Sequence, residues 1–136
     1  MAKYFVAKTE PETYSIADLE RDGETVWDGV RNALAVRFIK EMQPGDLVLI
    51  YHSGGQTAIM GLASVLSHPR PDPKDDDGKS WVADFKFVQK FATPVTLAEI
   101  KASHLFDDWY LVRQGRLSTM PVPDNFVDWL KTKQVL

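Results

Sequence analysis

Asp46 to His52 (DLVLIYH) is a near-continuous apolar run held between two turn signals, Pro44-Gly45 before it and Ser53-Gly54-Gly55-Gln56 after it. That pattern predicts a central strand. The other apolar segments are equally short. Lys3 to Lys8 predicts a buried strand, broken by Glu10-Pro11-Glu12, and Ala58 to Leu66 predicts another, with Gly61 marking a bulge or a close backbone approach. Trp81 to Phe91 alternates through Ala83, Phe85 and Phe87 until Val88 and Phe91 break the phase, as a long bulged strand would. Ser15 with Asp18 is a capping signal for a helix over 16–22 that Gly23 ends. Thr25-Val26-Trp27 is a short extended piece before an Asp28-Gly29 turn. Asn32 caps a second helix carrying Leu34, Phe38, Ile39 and Met42, stopped by Pro44-Gly45. Thr96 to Glu99 reads as a capping box for a third, and Asp124 caps a last one with Phe126, Trp129 and Leu130 inward. Residues 103–121 read as irregular, with a strand near Tyr110–Arg113, and 68–80, with its Pro and Asp residues, as an exposed mobile loop. Short strands mixed with short helices in no regular alternation indicate an α+β fold or a small barrel.

With 136 residues the chain suits one domain, 1–136, with no second-domain linker. Four Trp, four Tyr and seven Phe argue against disorder. The absence of Cys excludes a disulfide scaffold, a thiol nucleophile and any Cys-ligated zinc or iron–sulfur site. No segment approaches the ~20 apolar residues of a membrane span, and the N-terminus reads as structure from Lys3. The expectation is a cytoplasmic monomer with no membrane partner. The net charge of −3 gives no overall attraction for nucleic acid, so such binding needs a local basic patch. Five of the 19 acids lie between Asp72 and Asp84, leaving Arg31, Arg37, Lys40, Arg113 and Arg116 in segments poorer in acid.

Most chemical motifs fail on spacing. His52, His68 and His104 lack the helical spacing of a zinc pair. An EF-hand register on Gly78 puts Pro73 at the first ligand position and Asp84 where the bidentate Glu belongs, so no metal is expected. His52 and Ser53 are strand neighbours and point to opposite faces, and no G-x-S-x-G elbow exists. Gly54-Gly55-Gln56 is a hairpin-type turn. With no G-x-G-x-x-G or Walker pattern, no nucleotide cofactor is expected.

Two blocks carry more. Trp27-Asp28-Gly29-Val30-Arg31-Asn32 sets an aromatic face beside polar groups and free helix amides, which can hold a flat heterocycle; it is equally a core Trp followed by an Asn cap. Arg113-Gln114-Gly115-Arg116-Leu117-Ser118 reads either as a phosphate-contacting edge or as a surface segment with solvated arginines.

These blocks, with Lys8-Thr9-Glu10-Pro11, Tyr14-Ser15, Gly45-Asp46, Tyr51-His52-Ser53, Gly61-Leu62-Ala63, Pro71-Asp72-Pro73, Pro94-Val95-Thr96-Leu97 and Pro121-Val122, resemble the EVE domain family over nearly the whole chain. The resemblance implies a PUA-like fold: a small, mostly antiparallel β-barrel decorated by short helices, related to ASCH and YTH domains. It implies a non-enzymatic module, without cofactor, that captures a modified or flipped base of DNA or RNA. It assigns Trp27 as an aromatic wall of the base pocket, Asn32 to the base edge, and Lys8, Thr9 and Ser53 as further pocket residues. Arg31, Arg113 and Arg116 are the candidates for backbone phosphates. Where many relatives read R-N-Y-Q-A-R-N-F, this chain has Ala33, Leu34, Val36 and Arg37, and Gly115 replaces a common Ser. Two alternatives stand beside this reading. One is a small-molecule or protein-binding module using the same pocket; the other is a small hydrolase using His52 with Asp28 or Asp46.

Overall fold

A computed structural model describes residues 2–136. β1 (Tyr4–Thr9) leads into α1 (Ile16–Asp22), β2 (Glu24–Val30), α2 (Ala33–Ile39) and β3 (Leu47–His52). Then follow β4 (Ala58–Val65), the two-residue β5 (Arg70–Pro71), β6 (Trp81–Thr96), α3 (Leu97–Ser103), α4 (Tyr110–Arg113), β7 (Thr119–Pro121) and α5 (Asp124–Thr132). The strands form one sheet in the order β2-β6-β4-β3-β1-β7, with β5 on β6. The β1–β3 pair is parallel, and the other pairs are antiparallel.

The DLVLIYH run is central, as its continuity requires. Val48, Leu49, Ile50 and Tyr51 are all buried although consecutive strand residues face opposite ways, so both faces of the sheet are covered there. The curl of the sheet comes from β6. Sixteen residues laid straight would reach about 50 Å, whereas a chain of this size has a radius of gyration of about 14 Å; β6 must therefore bend. Its first half pairs with β2 and its second with β4, and Phe85 is opposite Thr25 on one side and Val65 on the other. The register slips at Ile59/Gly61 and at Leu62/Ala63. Gly61 is there because nothing larger fits: a Cβ would stand 2.6 Å from the Gln89 carbonyl oxygen and 2.6 Å from Ile16 Cδ1.

The local helix signals hold. The Ser15 hydroxyl accepts from the Asp18 amide, and the Asp18 carboxylate accepts from the Ser15 amide. Asn32 Oδ1 accepts from the amides of Leu34 and Ala35. Thr96 caps α3, but its box is half made, because Glu99 reaches Lys133 Nζ at 2.6 Å instead.

Five expectations are corrected. Asp28-Gly29 is a bulge inside β2, not a turn: Trp27 pairs with Ala83 and Val30 with Trp81, leaving one extra residue, and Gly29 takes φ +80°. α2 ends at Ile39, although Met42 is still buried beyond it. Tyr110–Arg113 is a helical turn rather than a strand, with Leu111 buried and Tyr110 against Phe38. Pro123, not Asp124, stands at the α5 N-cap; Asp124 occupies the first turn, where its charge suits the helix dipole, and Val127 is buried where Trp129 is only half-buried. The 68–80 segment is mostly exposed, as expected, but it is not all loop: Arg70–Pro71 pairs with β6 as β5, and Asp75 accepts the amides of Asp77, Lys79 and Ser80.

Among the described residues no helix is long and apolar enough to cross a membrane.

Candidate functional site

The two edge strands of the curled sheet, β2 and β7, do not pair among the described residues, and β7 covers β1 only at Phe5–Ala7, so a seam is open beside the Lys8–Thr9 end of β1. A cleft of about 400 Å³ lies in it, lined from β2 by Trp27, Asp28 and neighbours, from β1 by Lys8 and Thr9, and from the β1–α1 connection by Tyr14. Trp27 is 7% exposed. Phe85 stacks on its ring at 5.2 Å, and Tyr14 meets it edge-on at 6.2 Å. Trp27 is therefore a core residue that also lines the cleft.

Lys8 ties the cleft to the second block. Its Nζ donates to the Gly115 carbonyl at 2.9 Å, and its amide donates to the Ser118 carbonyl. The same ammonium lies 5.4 Å from the Tyr51 ring centre, and burial pulls its pKa below the usual lysine value. Arg113 and Arg116, flanking this contact, are exposed, and among the described residues neither has a carboxylate within 4.0 Å. Thr9 donates its hydroxyl to the Tyr14 carbonyl at 2.8 Å, which sets Tyr14 at the cleft.

Three other candidate residues sit differently. Ser53 hydrogen-bonds the Thr9 carbonyl through its amide and hydroxyl, so it is at the end of β3 beside the cleft but outside its lining. Asn32 is also outside the lining; its Oδ1 is spent on the α2 cap, while its amide NH₂ donates to nothing among the described residues. Arg31 is engaged: its guanidinium lies 3.4 Å from Asp75 and 3.6 Å from Asp77, and reaches the Ser80 hydroxyl. Asp75 is a strong partner, since the Ser80 backbone amide, at 2.7 Å, with the Ser80 hydroxyl and Asp77 amide, lowers its pKa to about 2.

The acid–base groups of the hydrolase alternative do not converge. His52 is buried, and its Nε2 accepts the Ile16 amide hydrogen at 3.0 Å; burial lowers its pKa and keeps it neutral. Asp46 lies just before the opposite end of β3, accepting from the Lys3 and Gln43 amides. Asp28 lines the cleft without contact to either. Among the described residues no three His, Asp or Glu gather as a metal site.

Sequence reasoning missed Tyr14 and Asp28 as parts of the pocket. Tyr14 carries no spacing signal; the Tyr14-Ser15 match to the family and the Glu10-Pro11 break, which turns the chain back, are what point to it. The molecule's larger cavity lies elsewhere. A groove of about 680 Å³ runs along His104–Tyr110 and Pro121–Pro123, with Leu105 59% exposed. Asp107 and Asp108 stand on it and no Lys or Arg does, so it would repel phosphate.

The fold class and then the family follow from comparison. An ASCH protein of Zymomonas mobilis superposes over 96% of this chain and 97% of its own with a TM-score of 0.65 at 12% identity, which shows the shared PUA-like fold. The EVE domain model matches residues 3–132, and the chain belongs to that family. Human thymocyte nuclear protein 1 is 27% identical over 96% of this chain and 73% of its own length. A protein of Leishmania major is 32% identical, with a TM-score of 0.85 and 98% and 97% of the two chains covered. The human THYN1 protein, whose crystal structure is a complex with DNA containing 5-methylcytosine, superposes at a TM-score of 0.85 with 27% identity, covering 95% of each chain.

Proposed function

We propose that this EVE domain binds nucleic acid and receives an unpaired or flipped, modified nucleobase in the seam cleft, without performing chemistry on it. The observation that carries the reading is the Lys8–Gly115 hydrogen bond, which ties the segment bearing Arg113 and Arg116 to a residue of the cleft that Trp27 and Tyr14 line. Cations at the lip hold the backbone, and the wall takes the base. The human THYN1 complex with 5-methylcytosine-containing DNA supports nucleic-acid binding by this fold. Stacking supplies about 1–3 kcal/mol per base, and extracting a base from a duplex costs a few kcal/mol. Single strands therefore bind better than duplexes of the same sequence.

The test is a fluorescence-anisotropy titration at two salt concentrations. Single- and double-stranded oligonucleotides carry cytosine, 5-methylcytosine, 5-hydroxymethylcytosine or N6-methyladenine at one position. Saturable binding that depends on one modification and survives moderate salt supports the reading. Binding that ignores the modification and vanishes with salt reduces the site to backbone electrostatics, and no binding overturns it.

A further inference from the structure

The cleft lining holds one acidic residue beside Lys8: Asp28, in the β2 bulge. Trp27 points into the core, so Asp28 belongs to the opposite face of a regular strand. The extra residue between Trp27 and Val30, with Gly29 at φ +80°, interrupts the pairing with β6 at Asp28, and the whole run Thr25–Gly29, Asp28 included, lines the cleft with Lys8. Asp28 is exposed, and among the described residues its carboxylate accepts no hydrogen bond and has no cation within 4.0 Å. The neighbouring hydroxyls are turned elsewhere: Thr9 donates to the Tyr14 carbonyl, and Tyr14 donates to Asp22 at 2.9 Å. Lys8 lines the cleft as well, not ion-paired with Asp28, and two of its three ammonium hydrogens remain after the Gly115 bond. The cleft thus presents a free acceptor and a free donor.

Resting on the function proposed above, we infer that Asp28 is a specificity-determining residue. It selects bases with an exocyclic amino group next to a ring-nitrogen acceptor, cytosine or adenine and their methylated forms, over thymine and uracil. The amino group donates to the carboxylate, which has acceptors only. Lys8 supplies a hydrogen to the adjacent acceptor. Thymine turns its O4 lone pairs toward the carboxylate, and the two acceptors repel.

Thymine is 5-methylcytosine with the amino group replaced by oxygen, so a matched pair of single-stranded oligonucleotides isolates the effect. The wild-type protein is expected to bind the 5-methylcytosine strand about 10-fold more tightly than the thymine strand. Asp28→Asn, isosteric and able to donate to O4, is expected to bring the two within about 2-fold, with its melting curve confirming the fold. Equal wild-type affinities, or a preference that persists in Asp28→Asn, overturn the role of Asp28 and leave the base-binding reading standing. A wild-type protein that binds neither strand overturns both.

Discussion

Arg31 and Arg116 look alike in the sequence, each a basic residue in a conspicuous polar block, yet they end in opposite electrostatic states. Arg31 is clamped by Asp75 and Asp77, which come from an acidic loop far along the chain. Arg113 and Arg116 flank the Gly115 carbonyl that Lys8 holds and face solvent uncompensated. A local motif fixes residue type and backbone shape; whether a charge is available is decided by what the rest of the fold brings to it. A related contrast separates the larger groove from the cleft, since the groove is lined by Asp107 and Asp108 with no Lys or Arg, whereas the cleft is lined by Lys8 as well as Asp28.

The largest effect tests the wall. Trp27→Ala removes the stack on Phe85 and the edge contact with Tyr14, and should cost about 3–5 kcal/mol in urea unfolding; Trp27→Phe should recover most of it. A loss under about 1 kcal/mol would mean the indole is not part of the core.

The arginines test the contrast itself. Arg113→Ala with Arg116→Ala should weaken single-strand binding about 10-fold, and should reduce the slope of log affinity against log salt by about 1.4, near 0.7 for each phosphate no longer neutralised. Arg31→Ala should leave affinity within about 2-fold, because its charge is already neutralised. Its signature should be faster hydrogen exchange at the amides of Asp77, Lys79 and Ser80. Equal losses in affinity from the two changes would erase the distinction.

Two titrations give the smallest effects, in separate windows. His52 has its pKa lowered in the fold, so the unfolded chain binds the extra proton first. Stability is complete above about pH 6.5 and falls as pH drops below that value through the lower folded pKa, where protonation removes the acceptor for the Ile16 amide. Asp75, at about 2, keeps its charge and the Arg31 clamp through pH 4 and releases them only as pH falls from its unfolded value toward 2. Thermal melts in steps of pH, with the Asp75 carboxyl followed by NMR, check both. A melting temperature that rises as pH falls through 6 would reverse the sign for His52.

What was legible follows a physical rule. β3 and the Ser15 and Asn32 caps are set by neighbours in sequence, so they could be read from it, and Gly61 stood out inside an apolar strand although the groups that exclude a Cβ there come from Gln89 and Ile16. Tyr110–Arg113 could not: its apolar run suits a strand, and packing of Leu111 in the core and Tyr110 on Phe38 makes it a helical turn. The Asp28-Gly29 bulge needs β6 as a partner before it is a bulge at all. The acidic loop is largely solvated, as read, but composition does not reveal that one of its Asp residues accepts three backbone amides and clamps an arginine. In the site, Trp27, Lys8 and Thr9 came from motifs, whereas Ser53 and Asn32 lie outside the lining because each serves the local backbone.

The most direct measurement is an amide and indole NMR titration of the protein with a single strand carrying 5-methylcytosine, compared with the same strand carrying cytosine. The expected result is saturable shifts at Lys8, Thr9, Trp27, Asp28 and Gly29 that depend on the methyl group, together with shifts at Arg113–Arg116 common to both strands. Shifts confined to Arg113–Arg116 and identical for the two strands, or centred on His104–Tyr110, would contradict a base in the seam cleft.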